Sequence, residues 1–330
     1  MRRFFPCYDP RAGTLVGRLP LLALLWPLAM NSQPQPPPVY FFSVPNDLMT
    51  VDGNTNSKVP FAVLGPVRYQ QVYEAAQFSQ VPAGGAFLIA VFLRADCTSI
   101  KNWRVTKLQV NASTVSIGPD QLTPTFSRNV GADDTRVFTS TTWAPPGICL
   151  PSNSFSGASV LHLEVPFFYD PAKGNLLLDL RSSGIDWNGA PLYESSLDAH
   201  DVLGDSVSRA LAFSLGSDTA EVVDTVGLVT AFEFRQTPTL YVRSETNAVV
   251  LYWPTHPEPF RLQWSETAGP RDSWSDYPGP IAGNNVWQEL VLPAGSLTSR
   301  KFFRLFWNTP QPLPTPPASP PVPVDPVIKP

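Results

Sequence analysis

Ala231-Phe-Glu-Phe-Arg235 decides the fold class of this chain. Phe232 and Phe234 stand two residues apart, with Glu233 between them and Arg235 after, so an extended backbone sends the rings to one side and the charges to the other. That alternation marks an antiparallel strand with one face on a core and one toward water. Similar short segments recur upstream at 68–75, 87–93, 103–110, 135–140, 160–166, 176–180 and 211–214, and 228–234 closes the series. Turn chemistry separates them. In Asp170-Pro-Ala-Lys-Gly-Asn175, Pro171 presets φ and Gly174 admits positive φ, which predicts a hairpin between residues 167 and 180.

Composition agrees with an all-β chain. Only 15% of residues are charged, against 43% hydrophobic, and 38 Pro and 20 Gly supply the turns that many short strands require. Residues 39–235 therefore read as an antiparallel β-sandwich or jelly roll. A second module follows over 237–307, where five strand candidates (240–243, 248–253, 260–264, 287–292 and 301–306) are spaced as in a small Ig/fibronectin-like sandwich. Phe302-Phe-Arg-Leu-Phe306 is apolar enough to invite aggregation at an open edge, and so is expected in the centre of its sheet. Ten Pro between 310 and 330 mark 308–330 as a disordered or polyproline tail. The net charge of −4, without a block of like charge, argues against nucleic acid or an anionic membrane as a partner.

The N-terminus reads as an export signal over 1–33. Arg2, Arg3, Arg11 and Arg18 precede the apolar run from Leu19 to Ala29, and polar Asn31-Ser-Gln33 follows. The run is too short for the roughly 20 apolar residues that span a bilayer, and Pro20 and Pro27 interrupt it. No membrane span is expected in the mature chain, although an uncleaved signal would leave an N-terminal anchor. Gln33-Pro-Gln-Pro-Pro-Pro38 then serves as a stiff spacer over 34–38. Export places the chain outside the cell or at the envelope, and it removes Cys7 from the mature protein. Cys97 and Cys149 remain, and an even pair in an oxidising compartment reads as one disulfide, two separate thiols being the alternative.

Residues able to carry chemistry are few. Asp198-Ala-His-Asp201 with Asp205 is the densest polar cluster, and Asp133 with Asp134 offers two adjacent carboxylates. Calcium is the cation that Asp133, Asp134, Asp198 and Asp201 would suit, although the spacing matches no known calcium loop. Otherwise no cofactor is implied, and a solvated loop at 198–205 and a capped turn at 131–134 account for the same residues. Gly204-Asp-Ser206 is similar to an esterase nucleophile block but lacks a following Asp-x-x-His, so catalysis by Ser206 is not expected. Glu164, Asp179, Glu194 and Glu233 would be needed in pairs for glycoside hydrolysis, and nothing in the sequence pairs them. Trp103, Trp143, Trp187, Trp274 and Trp287 fall in or near presumed loops. Asp186-Trp-Asn-Gly189 is the best candidate for ligand binding, with Asp186, Trp187 and Asn188 combining a ring and hydrogen-bonding groups. Asn111-Ala-Ser113 matches the glycosylation acceptor pattern.

Four stretches carry a resemblance: Arg68-Tyr-Gln-Gln-Val-Tyr73, Asn129-Val-Gly-Ala-Asp-Asp-Thr135, Phe168-Tyr-Asp-Pro-Ala-Lys-Gly-Asn-Leu-Leu-Leu-Asp179 and Gly204-Asp-Ser-Val-Ser-Arg209. Their order resembles that in a family of exported β-rich proteins of environmental bacteria such as planctomycetes and verrucomicrobia, some with C-terminal sorting tags. The resemblance covers about residues 45–235, implies export and a β fold, and brings no activity with it. Tyr252-Trp253 and Phe302-Phe-Arg-Leu305 similarly resemble a fibronectin-III-like or Ig-like accessory module. The tagged members' final hydrophobic helix with flanking Arg is missing here, so covalent sorting is not expected. The role these readings imply is non-catalytic: binding, adhesion or structure, with glycans or other envelope proteins as candidate partners. A carbohydrate-binding protein with exposed aromatics and a secreted hydrolase are the alternatives.

Two features of this reading are directly measurable. Sequencing the N-terminus of the exported protein should give a start near residue 34, and a non-reducing peptide map should contain one linked pair, Cys97 with Cys149. A start at Met1 would replace the signal peptide with an anchor.

Overall fold

Strand makes up 55% of the structure and helix 8%, so the all-β expectation holds. The computed structural model describes residues 38–96, 104–143, 154–186, 196–256, 260–267, 273–284, 286–296 and 299–307. In chain order the strands are β1 (Val39–Val44), β2 (Thr55–Ser57), β3 (Val67–Tyr73), β4 (Ala86–Leu93), β5 (Ala95–Asp96), β6 (Arg104–Val115), β7 (Thr135–Trp143) and β8 (Ser159–Tyr169). They continue as β9 (Asn175–Ser182), β10 (Ile185–Asp186), β11 (Ser196–Asp201), β12 (Val207–Ala212), β13 (Val222–Asp224), β14 (Val226–Leu228) and β15 (Thr230–Arg235). Beyond residue 236 stand β16 (Tyr241–Glu245), β17 (Ala248–Pro254), β18 (Phe260–Ser265), β19 (Ser275–Asp276), β20 (Ala282–Gly283), β21 (Trp287–Pro293) and β22 (Phe302–Trp307). No described strand before residue 236 pairs with one after it.

Two antiparallel sheets face each other in the first part of the chain. One has the order β1-β15-β4-β8; the other runs through β6, β9, β3, β12 and β13, with β7 and β10 also paired to β6. The alternation in 231–235 acts as expected: Phe232 and Phe234 are fully buried, and Glu233 is half-buried. Phe42, Leu88, Phe232 and Phe234 from one sheet join Tyr69, Tyr73, Leu176 and Leu178 from the other in one apolar cluster. Phe78, at the end of a short helical turn, plugs the space between the sheets. Its ring lies 5.0 Å from Tyr169, 5.3 Å from Phe232 and 5.6 Å from Phe42, centroid to centroid, and two of these pairs meet edge to face, a favourable geometry for aromatic quadrupoles.

Every residue of β3 is buried, so this strand lacks a wet face. Tyr69, Gln71 and Tyr73 point into the main core, whereas Val72 belongs to a second cluster, with Leu122 and Phe126, on the opposite face. Gln71 uses both ends of its amide on Leu228, donating to its carbonyl at 2.9 Å and accepting from its N–H at 2.8 Å. It thereby supplies a missing rung between β3 and β14 and satisfies polar atoms that would otherwise be costly to bury. On the opposite face Arg68 donates to both carboxylate oxygens of Asp179, at 2.7 and 3.3 Å, and lies over the Phe126 ring. Gln70 bridges Asp179 and Asn129.

The predicted hairpin at 167–180 is not formed. Strand β8 pairs with β4 and β9 pairs with β3 and β6, so the turn between them crosses from one sheet to the other. The local chemistry is as read: Asp170 accepts from the Ala172 N–H, Pro171 begins a helical turn, and Gly174 has φ of 149°. The difference is one of burial. Both arms are apolar, and an arch sets their inner faces against each other, whereas a hairpin would lay them side by side in one sheet. Gly174 is required there, because a Cβ would lie 2.4 Å from the Val115 carbonyl oxygen.

Beyond residue 236 two smaller sheets, β16-β17-β21-β20 and β19-β18-β22, enclose Leu251, Trp253, Leu262, Leu290 and Leu292. Strand β22, expected at a sheet centre, is the last strand of its sheet among those described and pairs only with β18. Side-chain packing covers its apolar residues instead. Phe303 and Leu305 pack against the small core, Arg304 lies over Trp274 and Phe306, and the Trp307 ring meets Phe87 of β4 at 4.3 Å.

One ion pair fastens the loop after β1. Arg94, essentially without exposure, pairs with Asp198 through Nε at 2.8 Å and through Nη2, and it donates to the carbonyls of Leu48 and Val51 at 2.7 and 2.6 Å. Asp198 also accepts from the Gly53 N–H, whose close approach leaves no room for a Cβ. Removing one partner strands the other charge in a dry site. Arg94→Ala or Asp198→Ala should each lower unfolding stability by about 3–5 kcal/mol, and the Arg94→Met/Asp198→Leu pair should cost less than either single change. Urea midpoints test this, and single variants within about 0.5 kcal/mol of the parent would remove the pair's anchoring role.

Candidate functional site

The acidic residues singled out in the sequence do not converge. The 198–201 stretch, expected as a loop, is strand β11, whose period of two puts Asp198 and Asp201 on opposite faces. Asp198 is consumed by Arg94, and burial raises its carboxyl above the usual range although Arg94 pulls it back. Asp201 accepts from the Thr225 hydroxyl and exchanges backbone hydrogen bonds with the Asn54 side chain. Asp133 accepts from the Thr114 N–H at 2.7 Å and Asp134 from the Asn111 amide at 3.0 Å, so both tie their turn to β6. Among the described residues no group of three or more His, Cys, Asp or Glu is gathered for a metal.

His200 and Asp205 form a dyad, Nδ1 to Oδ2 at 2.8 Å, with Asp205 raised by burial. Ser206 follows directly, but it is buried and no hydrogen bond joins it to His200. Of the carboxylates weighed for glycoside hydrolysis, Asp179 serves Arg68 and Glu164 accepts from the backbone and hydroxyl of Thr139 on β7, while Glu194 lies outside the described residues. Trp187, Asn188, Cys97 and Cys149 lie outside the described residues, as does the side chain of Asp186. Of the other tryptophans, Trp143 is buried against Phe61 and Trp274 is covered by Arg304. Trp287 meets Tyr252 at 6.1 Å, while Tyr252 stacks on Tyr241 at 5.4 Å and holds Arg243 over its ring. Trp103 lies outside the described residues.

A concavity does form where the sequence marked none, at the end of the small sheets where β17 stops and β18 and β21 begin. Its volume is about 440 Å³. Trp253 and Leu262, both buried, make the floor, and Phe260, Tyr277 and Ile281 make the walls. The rim is polar: Thr255, His256, Arg261, Asp276 and Gln288. Strand pairing brings these together, since Gln288 stands opposite Trp253, and Asp276 opposite Gln263, the residue two beyond Arg261. Arg261 donates to Asp276 at 2.9 Å and Gln263 donates to its other oxygen at 3.0 Å. The Gln263 hydrogen bond and Arg261 together hold the Asp276 carboxyl below its usual range. Gln288 donates to the Thr255 hydroxyl at 3.3 Å, which itself donates to the Asn284 carbonyl. The only sequence signal was the run Phe260-Arg-Leu-Gln-Trp264, whose polar and aromatic residues alternate as on any strand.

His256 joins this rim to the larger sandwich. Its ring packs edge-on to Phe260 at 5.0 Å and lies 6.2 Å from Phe87. Burial and the nearby Arg235 push its pKa down to about 4, against a weaker upward pull from a hydrogen bond to the Gln236 backbone. Comparisons with protein-family models, curated proteins and solved structures find no match to this chain.

The low His256 value has a pH signature. The unfolded chain, with a histidine near 6.5, binds the extra proton between about pH 6.5 and 4, so stability is full above that window and falls as pH drops through it. His256→Gln should flatten this part of the stability profile. Thermal melts from pH 7 to 4 check it, and parallel slopes for variant and parent would exclude His256 as the source.

Proposed function

We propose that this is an exported, non-catalytic β protein that works by binding at the cell envelope or outside the cell, the C-terminal sheets forming a fibronectin-like accessory module. The amphipathic cleft in those sheets carries the reading. Small-molecule sites are commonly concave, apolar at the base and provided with a few convergent polar groups, and this cleft has that distribution. Two of the acidic candidates support it from the other side. Asp198 and Asp179 are tied to arginines inside the structure, and such groups build a scaffold and are not available to a substrate. The N-terminal signal pattern and the resemblance to exported β-rich bacterial proteins supply the location.

A secreted hydrolase is the second reading, favoured by the His200–Asp205 dyad beside Ser206. The two are separated by incubating the full chain with chromogenic ester and glycoside panels and, in parallel, with cell-envelope polysaccharide and protein fractions. Retention by an envelope fraction without turnover is expected. Turnover abolished by Ser206→Ala or His200→Ala would replace binding with catalysis.

A further inference from the structure

We propose that the cleft between the ends of β17, β18 and β21 binds a neutral saccharide, about one or two pyranose rings in extent. This deepens the binding function put forward above and rests on it. A pyranose presents apolar C–H faces and a belt of hydroxyls, each both donor and acceptor. The cleft mirrors that division: an apolar floor of Trp253 and Leu262, half-exposed rings of Phe260 and Tyr277 at the sides, and a belt of polar groups above them. The belt offers donors from Arg261, acceptors from Asp276, and both from Gln288 and Thr255.

The charge balance selects the ligand class. Arg261 and Asp276 are opposite charges in contact at 2.9 Å, and both side chains are about half exposed. Neither a phosphate nor an ammonium finds an uncompensated partner in the pair, and His256 adds no charge near neutral pH because its pKa lies near 4. A wholly apolar ligand would strip water from five polar rim residues and return nothing to them. A peptide that binds by strand addition needs an open strand edge, whereas this cleft lies between the ends of two sheets. Hydroxyls can bond to the oxygens of Asp276 and the nitrogens of Arg261 together without breaking the pair. A guanidinium carries five N–H donors and each carboxylate oxygen accepts more than one hydrogen bond, so adjacent hydroxyls can engage both members of the pair.

The test uses the full chain. Cellobiose, maltose, mannobiose and chitobiose are titrated calorimetrically, beside a neutral and anionic glycan array and an array of random peptides. Asp276→Ala and Gln288→Ala are the variants, each checked for an unchanged melting temperature, and Lys173→Ala, exposed and far away in sequence, is the control. At least one neutral sugar should bind, with an affinity that changes little between low and high salt and falls about tenfold or more in both cleft variants but not in the control. Binding of anionic glycans alone, sugar binding untouched by the cleft variants, or no neutral sugar bound would each overturn the proposal. Peptide binding lost in the cleft variants would also overturn the saccharide class while leaving a binding function in place. Hydrolysis of a titrated sugar would instead remove the non-catalytic reading.

Discussion

Strand β3 has no exposed face, and most of the larger sandwich is arranged around that fact. A strand in an antiparallel sheet ordinarily gives one face to water, so burying both obliges the chain to cover the second and to satisfy every polar atom caught beneath the cover. Arg68 and Gln70 are those atoms' owners. They meet Asp179 on the neighbouring strand and Asn129 and the Phe126 carbonyl in the segment that forms the roof. On the inner face Gln71 does the same for β14. The run Arg68-Tyr-Gln-Gln-Val-Tyr73 thus alternates between two dry environments, and its polar residues bind sheet to roof and strand to strand. Such networks carry a high penalty when half satisfied, which makes each member depend on the others.

Arg94 and Asp198 apply the same rule at one end of the sandwich, where they secure the loop at 45–54 through its carbonyls and the Gly53 N–H. The contrast with Arg261 and Asp276 is informative. Both are arginine–aspartate pairs, yet one is sealed from water with its remaining hydrogen bonds directed at backbone, and the other stands half exposed on the rim of a cleft. The first kind holds the fold and offers nothing to a ligand. The second loses little when a ligand replaces its water, and that is the physical basis for placing binding in the small sheets.

Much of the strand content was legible because it depends on a period of two. The segments at 68–75, 87–93, 135–140 and 248–253 contain the strands β3, β4, β7 and β17 to within a few residues. Strand β11 was missed because Ser196-Leu-Asp-Ala-His-Asp201 looks solvated, and only the distant Arg94 makes a buried Asp198 tolerable. The arch at 170–174 reads as a hairpin in sequence because the two share turn residues and differ only in which sheet receives the second arm. Strand β22 was placed centrally from its hydrophobicity alone, when Phe87, from a strand more than two hundred residues earlier, covers its end. None of the cleft's residues stood out, because each is ordinary in its own strand or connecting segment.

By itself the sequence determined that this protein is built of antiparallel strands, because alternation, low charge and turn residues act over a few neighbours and need no distant partner. Tertiary structure alone decided which carboxylates are structural and where a ligand can be received. Those outcomes depend on burial and on register between strands far apart in the chain: Asp198 against Arg94, and Gln288 opposite Trp253. A carboxylate's chemistry is set by the dielectric and the charges around it, and neither is written in its neighbours along the chain.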